Sequence, residues 1–144
     1  MRLEYEIDIE SLTRLEKICF PTSAYTEEQL SEMVQDRERY SVIGVSSTEN
    51  LVGYVIVFDN SESLEIMKIA VLPEFRKKGI GKILLDEIEK LKKDIFLEVR
   101  ESNIVAREFY IKNSFKEIGK RKNYYKDNNE AAIIMSKENN KKLI

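Results

Sequence analysis

Along the first seven residues, apolar Leu3, Tyr5 and Ile7 alternate with polar neighbours, the period of a strand covered on one face. From Ile9 the period lengthens. Leu12, Leu15, Ile18 and Cys19 fall at helical spacing, and Pro21 stops the helix. Thr26 with Gln29 three residues on forms a capping box, which predicts a second helix running to about Gln35. Apolar runs at 40–45 and 51–58 then predict a strand pair joined by the polar turn SSTEN. A further strand at 64–71 follows the turn DNSES and must end there, because Pro73 has no N–H for a ladder. Past Gly81, the residues Ile83, Leu84, Ile88 and Leu91 mark one face of a helix. The stretch IFLEVRESNIVAREFYIKNSF predicts a buried strand, a turn, a short helix and the start of another strand; AAIIM is the closing strand. One domain over 1–144 accounts for the whole pattern, with 136–144 expected to be a loose tail.

Composition narrows the function. A formal net charge of −2 on 144 residues offers no basic excess that would make nucleic acid the main partner. One cysteine and no histidine exclude an intrachain disulfide and a Cys/His catalytic pair. Cys19 fits a small apolar role on its helix better than that of a nucleophile. No apolar run reaches membrane-spanning length, and the opening residues do not have the pattern of a signal peptide. A cytoplasmic protein is expected, without membrane or direct nucleic-acid partners.

The stretch VLPEFRKKGIGKILL places Gly79 and Gly81 between the predicted strand and helix. Unpaired N–H groups and the helix dipole make such a start receptive to an anion, and glycines let it approach the backbone. A Walker loop needs Gly where Arg76 stands and Ser or Thr where Ile83 stands. A dinucleotide fingerprint needs Gly where Leu84 stands. Both are excluded. A different phosphate cradle and a basic turn solvated by Arg76, Lys77 and Lys78 remain open.

Three residues further on carry candidate chemistry. Glu98 lies inside the apolar strand IFLEV, where a carboxylate is costly unless paired or used. An ion pair with Arg100 or Arg107 competes with a role as general base. Tyr110 is either core, with Val105, Ala106 and Phe109, or a proton donor. Asn103 suits the N-cap of the short helix.

The pattern Arg-x-x-Gly-x-Gly at 76–81 resembles the acetyl-CoA loop of the GNAT acetyltransferases. LEVR, then Ser102-Asn103, a Tyr twelve residues after Glu98, RKNYY and AAIIM occur in the order found in the RimI-like branch of that family. FPTSAY falls where that branch has a loop forming part of the peptide site. The resemblance covers nearly the whole chain. It departs in having Tyr25 and no tryptophan where such proteins often carry Trp, and in a somewhat shorter connection between Gly81 and Glu98.

The resemblance implies an α+β GNAT fold: a mixed, mostly antiparallel sheet of about seven strands with helices on both faces. It implies acetyl-CoA as donor and no metal. The backbone of Lys77, Lys78, Gly79, Ile80, Gly81 and Lys82 would hold the pyrophosphate; Ile69, Ala70 and Val71 would lie along the pantetheine arm, and Asn103 would touch the cofactor. Glu98 would act as general base and Tyr110 as general acid, with Phe20, Tyr25, Tyr124 and Tyr125 around the acceptor. The acceptor implied is the α-amine of a protein, the alanine-starting end of a small-subunit ribosomal protein. A neutral α-amine is also the easier nucleophile: freeing it at neutral pH costs about 1 kcal/mol, against about 4.6 kcal/mol for lysine. A small amine or lysine acceptor, or a non-catalytic acyl-CoA-binding module, are the alternatives.

Overall fold

The structure, a computed structural model, describes residues 1–139. In chain order the elements are β1 (Arg2–Glu4), α1 (Ile9–Cys19), α2 (Glu27–Gln35), β2 (Tyr40–Ser47), β3 (Asn50–Asp59) and β4 (Ser63–Val71). A 3-10 turn (Pro73–Phe75) leads to α3 (Ile80–Glu89), β5 (Asp94–Arg100), α4 (Ile104–Lys112), β6 (Lys116–Arg121) and β7 (Ala132–Lys137). The seven strands form one sheet in the order β1-β2-β3-β4-β5-β7-β6. Every neighbouring pair is antiparallel except β4 with β5. The expected mixed, mostly antiparallel sheet is therefore present.

Each face of the sheet carries its own core. Residues from α3 and α4, including Leu84, Ile88 and Tyr110, pack with Val55, Ile66 and Leu97 on one face. Leu12 and Leu15 of α1 and Leu30 of α2 pack with Tyr54, Ile56 and Ala70 on the other. The α2 helix starts as predicted: Gln29 N–H donates to Thr26 Oγ1, and Thr26 N–H donates to Gln29 Oε1.

Four local expectations are corrected. The first strand stops at Glu4, and Tyr5 points out, donating its hydroxyl to Glu87. The buried face of α1 runs through Leu12, Leu15 and Glu16, while Ile18 is 53% exposed. Leu91 lies past the end of α3 and is exposed rather than part of its buried face. The tail is not loose from 136 onward. Ser136 and Lys137 belong to β7, Lys137 pairs with Glu89 at 2.8 Å, and Asn139 N–H donates to Asp94 at 2.8 Å. The rest of that expected tail, 140–144, lies outside the described residues.

Two irregularities shape the centre of the sheet. Opposite β3, Ile56 pairs with Lys68 and Val57 with Ile66, which leaves Met67 as an extra residue in a bulge on β4. The bulge turns Lys68 toward α1. On its other edge β4 pairs with β5 only through Ser63, Leu64 and Glu65 against Asp94, Ile95 and Phe96. Beyond Glu65 the two strands part, β4 following β3 and β5 following β7.

Candidate active site

The parting strands open a cleft, with the glycine loop at one end and Glu98 on one wall. Above the cleft, α3 begins at Gly79, an N-cap with φ of 82° and no side-chain cap. That left-handed conformation strains any residue with a side chain, and an ideal Cβ there would meet nothing within 4 Å. No side chain caps the first-turn N–H groups of α3, and Lys77, Lys78 and Lys82 flank them in sequence. An uncapped helix start of this kind, with room at its backbone and cations around it, fits a pyrophosphate. Gly81 has a second job. It lies within the first turn of α3, and a Cβ on it would come 2.8 Å from Cζ of Phe109 on α4. The residue is small so that α3 and α4 can touch.

Along the cleft, Ile69, Ala70 and Val71 follow the point where β4 leaves β5, so their β5-facing edge has no strand partner. Val71 carbonyl is not free, however: Arg76 Nε donates to it at 3.0 Å, folding the loop back on the strand. Asn103 caps α4, its Oδ1 accepting from Ala106 N–H at 3.2 Å, as its position predicted.

Glu98 extends from β5 on the face opposite its buried neighbours Leu97 and Val99. Its partner is neither Arg100 nor Arg107. Arg121, from β6, donates Nη1 to both carboxylate oxygens at 3.1 and 3.3 Å, and Glu98 stays 26% exposed. The two arginines expected beside it are taken elsewhere. Arg100 pairs with Asp127 and Glu130, and Arg107 with Glu117 and the Glu101 carbonyl. Tyr110 is 5% exposed, its ring 5.3 Å from those of Phe109 and Phe115. Its hydroxyl donates to no acceptor among the described residues. Nor is it one of the buried polar atoms left without a partner, so it keeps contact with solvent. Burial pushes its pKa well above the usual tyrosine value, so the proton stays on.

Aromatic rings with cations against them come from two segments, 20–25 and the β6–β7 connection. Arg121 lies 4.3 Å from the centre of Tyr124, Arg100 lies 4.0 Å from that of Tyr125, and the two rings meet edge to face at 5.1 Å. The Lys68 ammonium sits 4.0 Å from the ring centre of Phe20 and 4.4 Å from that of Tyr25. Lys68 in turn is bonded to fully buried Glu16, which also accepts from Tyr54 hydroxyl and from Tyr25 N–H.

Sequence reasoning missed Glu16, Tyr54, Glu65, Lys68 and Arg121. Lys68 was visible as a charge inside the apolar run LEIMKIAV, the same signal that exposed Glu98. Glu65 is the last residue of β4 paired to β5, and its carboxylate makes no hydrogen bond or ion pair among the described residues. Desolvation, then the charge of Glu98, raises its carboxyl above the usual range, and Arg121 opposes the rise. Glu65 and Glu98 therefore share one field at the mouth of the cleft. No group of three or more metal-binding side chains occurs among the described residues, and no helix there is long and apolar enough to cross a membrane.

Comparison with known proteins matches residues 9–115 to the acetyltransferase (GNAT) family. A Bacillus subtilis protein provisionally named a ribosomal protein bS18-alanine N-acetyltransferase is 32% identical over 140 residues, covering 94% of this chain and 90% of its own. The crystal structure of the Escherichia coli ribosomal-protein-S18-alanine N-acetyltransferase superposes with a TM-score of 0.84 at 26% identity, over 96% of this chain and 93% of that one. The PaiA N-acetyltransferase of Thermoplasma acidophilum, solved with coenzyme A, shares the fold at TM-score 0.79 and 22% identity, over 96% and 99% of the chains.

Proposed function

This chain belongs to the GNAT acetyltransferase family, and from that premise we propose that it acetylates the α-amine at the N-terminus of a protein, the alanine-starting end of a small-subunit ribosomal protein. The observation that carries the reading is the placement of Glu98. It stands on β5 beyond the last pair with β4, bonded to Arg121, whose guanidinium also lies against the ring of Tyr124 in the β6–β7 connection. The relatives named for this activity on ribosomal protein bS18 support the acceptor.

Acetyl-CoA supplies an activated acetyl thioester with a thiol leaving group. The first-turn N–H groups of α3, with Lys77, Lys78 and Lys82, hold its pyrophosphate, and the free edge of β4 at 69–71 aligns the arm. Asn103, at the start of α4, reaches the cofactor. Glu98 takes the proton that the amine loses on attack, directly or through one water. Arg121 fixes the orientation of that carboxylate through its two bonds. Tyr110 carries a proton at its hydroxyl for the departing sulfur, and desolvation keeps that proton in place. Phe20, Tyr25, Tyr124 and Tyr125 bound the first residue of the acceptor. Walls of this kind select by size, with one methylene worth about 1–3 kcal/mol, so Ala leads and Ser, Thr and Gly follow more slowly.

Mass spectrometry of peptides incubated with the protein and acetyl-CoA tests this directly. An alanine-starting peptide should gain one acetyl group on its α-amine, and blocking that amine should abolish product although internal lysines remain. Equal modification of internal lysines, or preference for a polyamine over every peptide, would overturn the acceptor while leaving the family intact.

A further inference from the structure

Glu16 is fully buried between α1 and the sheet, where a carboxylate is tolerated only with close partners. Its three donors come from three places: Tyr54 hydroxyl on β3, Lys68 Nζ on β4 and Tyr25 N–H at 2.7 Å. Lys68 also donates to the Ser23 carbonyl at 2.7 Å. The same ammonium rests against the rings of Phe20 and Tyr25. One cation thus touches Phe20, Ser23 and Tyr25, half of the FPTSAY segment.

The segment's other ties are Tyr25 N–H to the Glu16 carboxylate, Phe20 N–H to the Glu16 carbonyl at 2.8 Å, and the packing of Phe20 and Tyr25 against the core beneath α1 and α2. The segment lies between the end of α1 and the cap of α2, and Ser23 N–H to Phe20 carbonyl, at 3.3 Å, is a weak turn. Lys68 reaches it because the Met67 bulge rotates the side chain onto this face. It also lies on the part of β4 that no longer pairs with β5, directly before Ile69. The ammonium therefore ties the wall of the acceptor cleft to the strand that borders the donor. We propose that Lys68, clamped by Glu16, is a positioning residue that holds the 20–25 segment in register with β4 for the acceptor. The proposal rests on the acceptor site described above. A cation already lies on the inner faces of Phe20 and Tyr25. The ring faces that Lys68 covers are thus not open to a second ammonium.

Lys68→Met alone strands the Glu16 carboxylate, so the decisive variant is Glu16→Gln with Lys68→Met, neutral at both positions. In it, peptide KM should rise by roughly tenfold or more while acetyl-CoA KM stays within about twofold. Amide exchange at Ser23, Ala24 and Tyr25 should accelerate. Lys68→Arg, which keeps the cation, should hold peptide KM within about threefold of the parent. If the double variant fails to fold, Glu16→Gln, which keeps an acceptor but frees the ammonium, carries the same expectation. Unchanged peptide KM in a folded variant, or an equal rise in acetyl-CoA KM, overturns the proposal. If the unaltered protein modifies no N-terminal peptide, the acceptor reading fails instead, and the exchange rates alone decide whether Lys68 holds the segment.

Discussion

Replacing Tyr110 with Phe removes one oxygen and leaves the packing of the ring in place. The hydroxyl has no hydrogen-bond partner among the described residues, so its loss strands no buried donor or acceptor on a neighbour. The contacts with Phe109 and Phe115, each 5.3 Å between ring centres, survive in phenylalanine. Stability should therefore change by less than about 1 kcal/mol, a Tm shift of no more than about 4 °C for a chain of this size. Truncation to Ala, by contrast, should cost about 3–5 kcal/mol. A proton donor for a thiol that leaves moderately well unaided contributes roughly 10²–10⁴ in rate, or about 2.7–5.5 kcal/mol of barrier. Tyr110→Phe should thus lower kcat by that range at nearly constant Tm and with acetyl-CoA binding intact. Thiol release under saturating peptide, thermal unfolding and calorimetry with acetyl-CoA give the three numbers. A folded variant with normal kcat per molecule would show that Tyr110 is core and nothing more.

Gly79→Val adds no internal clash but forces a β-branched residue to φ near 82°, at a cost of about 1–2 kcal/mol or more, and crowds the anion. Acetyl-CoA affinity should fall at least roughly a hundredfold by calorimetry, the loss of one or two charge-assisted bonds, while the fold survives. The pH profile should be one-sided. The rate kcat/KM should rise as the α-amine loses its proton near pH ~7.8. It should then stay level past pH 10, because the Tyr110 pKa is raised from its ordinary 10.0 and the protonated form persists there. A fall between about pH 8.5 and 9.5 that Tyr110→Phe removes would contradict the placement of that group.

What the sequence revealed depended on how far its determinants lie apart. The start of α2 needs only Thr26 and Gln29, three residues apart, and it came out at the right residue. The loop at 76–81 was likewise legible, because strand, Pro73 and glycines follow one another directly. The buried face of α1 was misplaced. Periodicity favours apolar Ile18 over Glu16, and only Lys68, Tyr54 and Tyr25, brought from as far as 52 residues away, make Glu16 the better occupant. Glu98 was noticed for the same reason, a charge among apolar neighbours, but its partner was misjudged. The nearby arginines are occupied by Asp127, Glu130 and Glu117, and Arg121 arrives from a strand that a sequence cannot order. Gly81 shows a third case, where a residue assigned to the ligand is also required by Phe109 on another helix.

The brief parallel contact between β4 and β5 also divides the molecule for folding. The strands β2, β3 and β4 are antiparallel neighbours joined by short turns whose local contacts form quickly, and β1 adds to their edge from across α1 and α2. The strands β5, β6 and β7 make a second unit, and across the sheet the two meet through only three residue pairs. With so few pairs to hold it, the join should be the last to close and the first to open. A donor lying in the cleft would span both units and hold the late contact shut. Its stabilisation should therefore appear chiefly as slower opening at that join, growing with donor concentration by mass action.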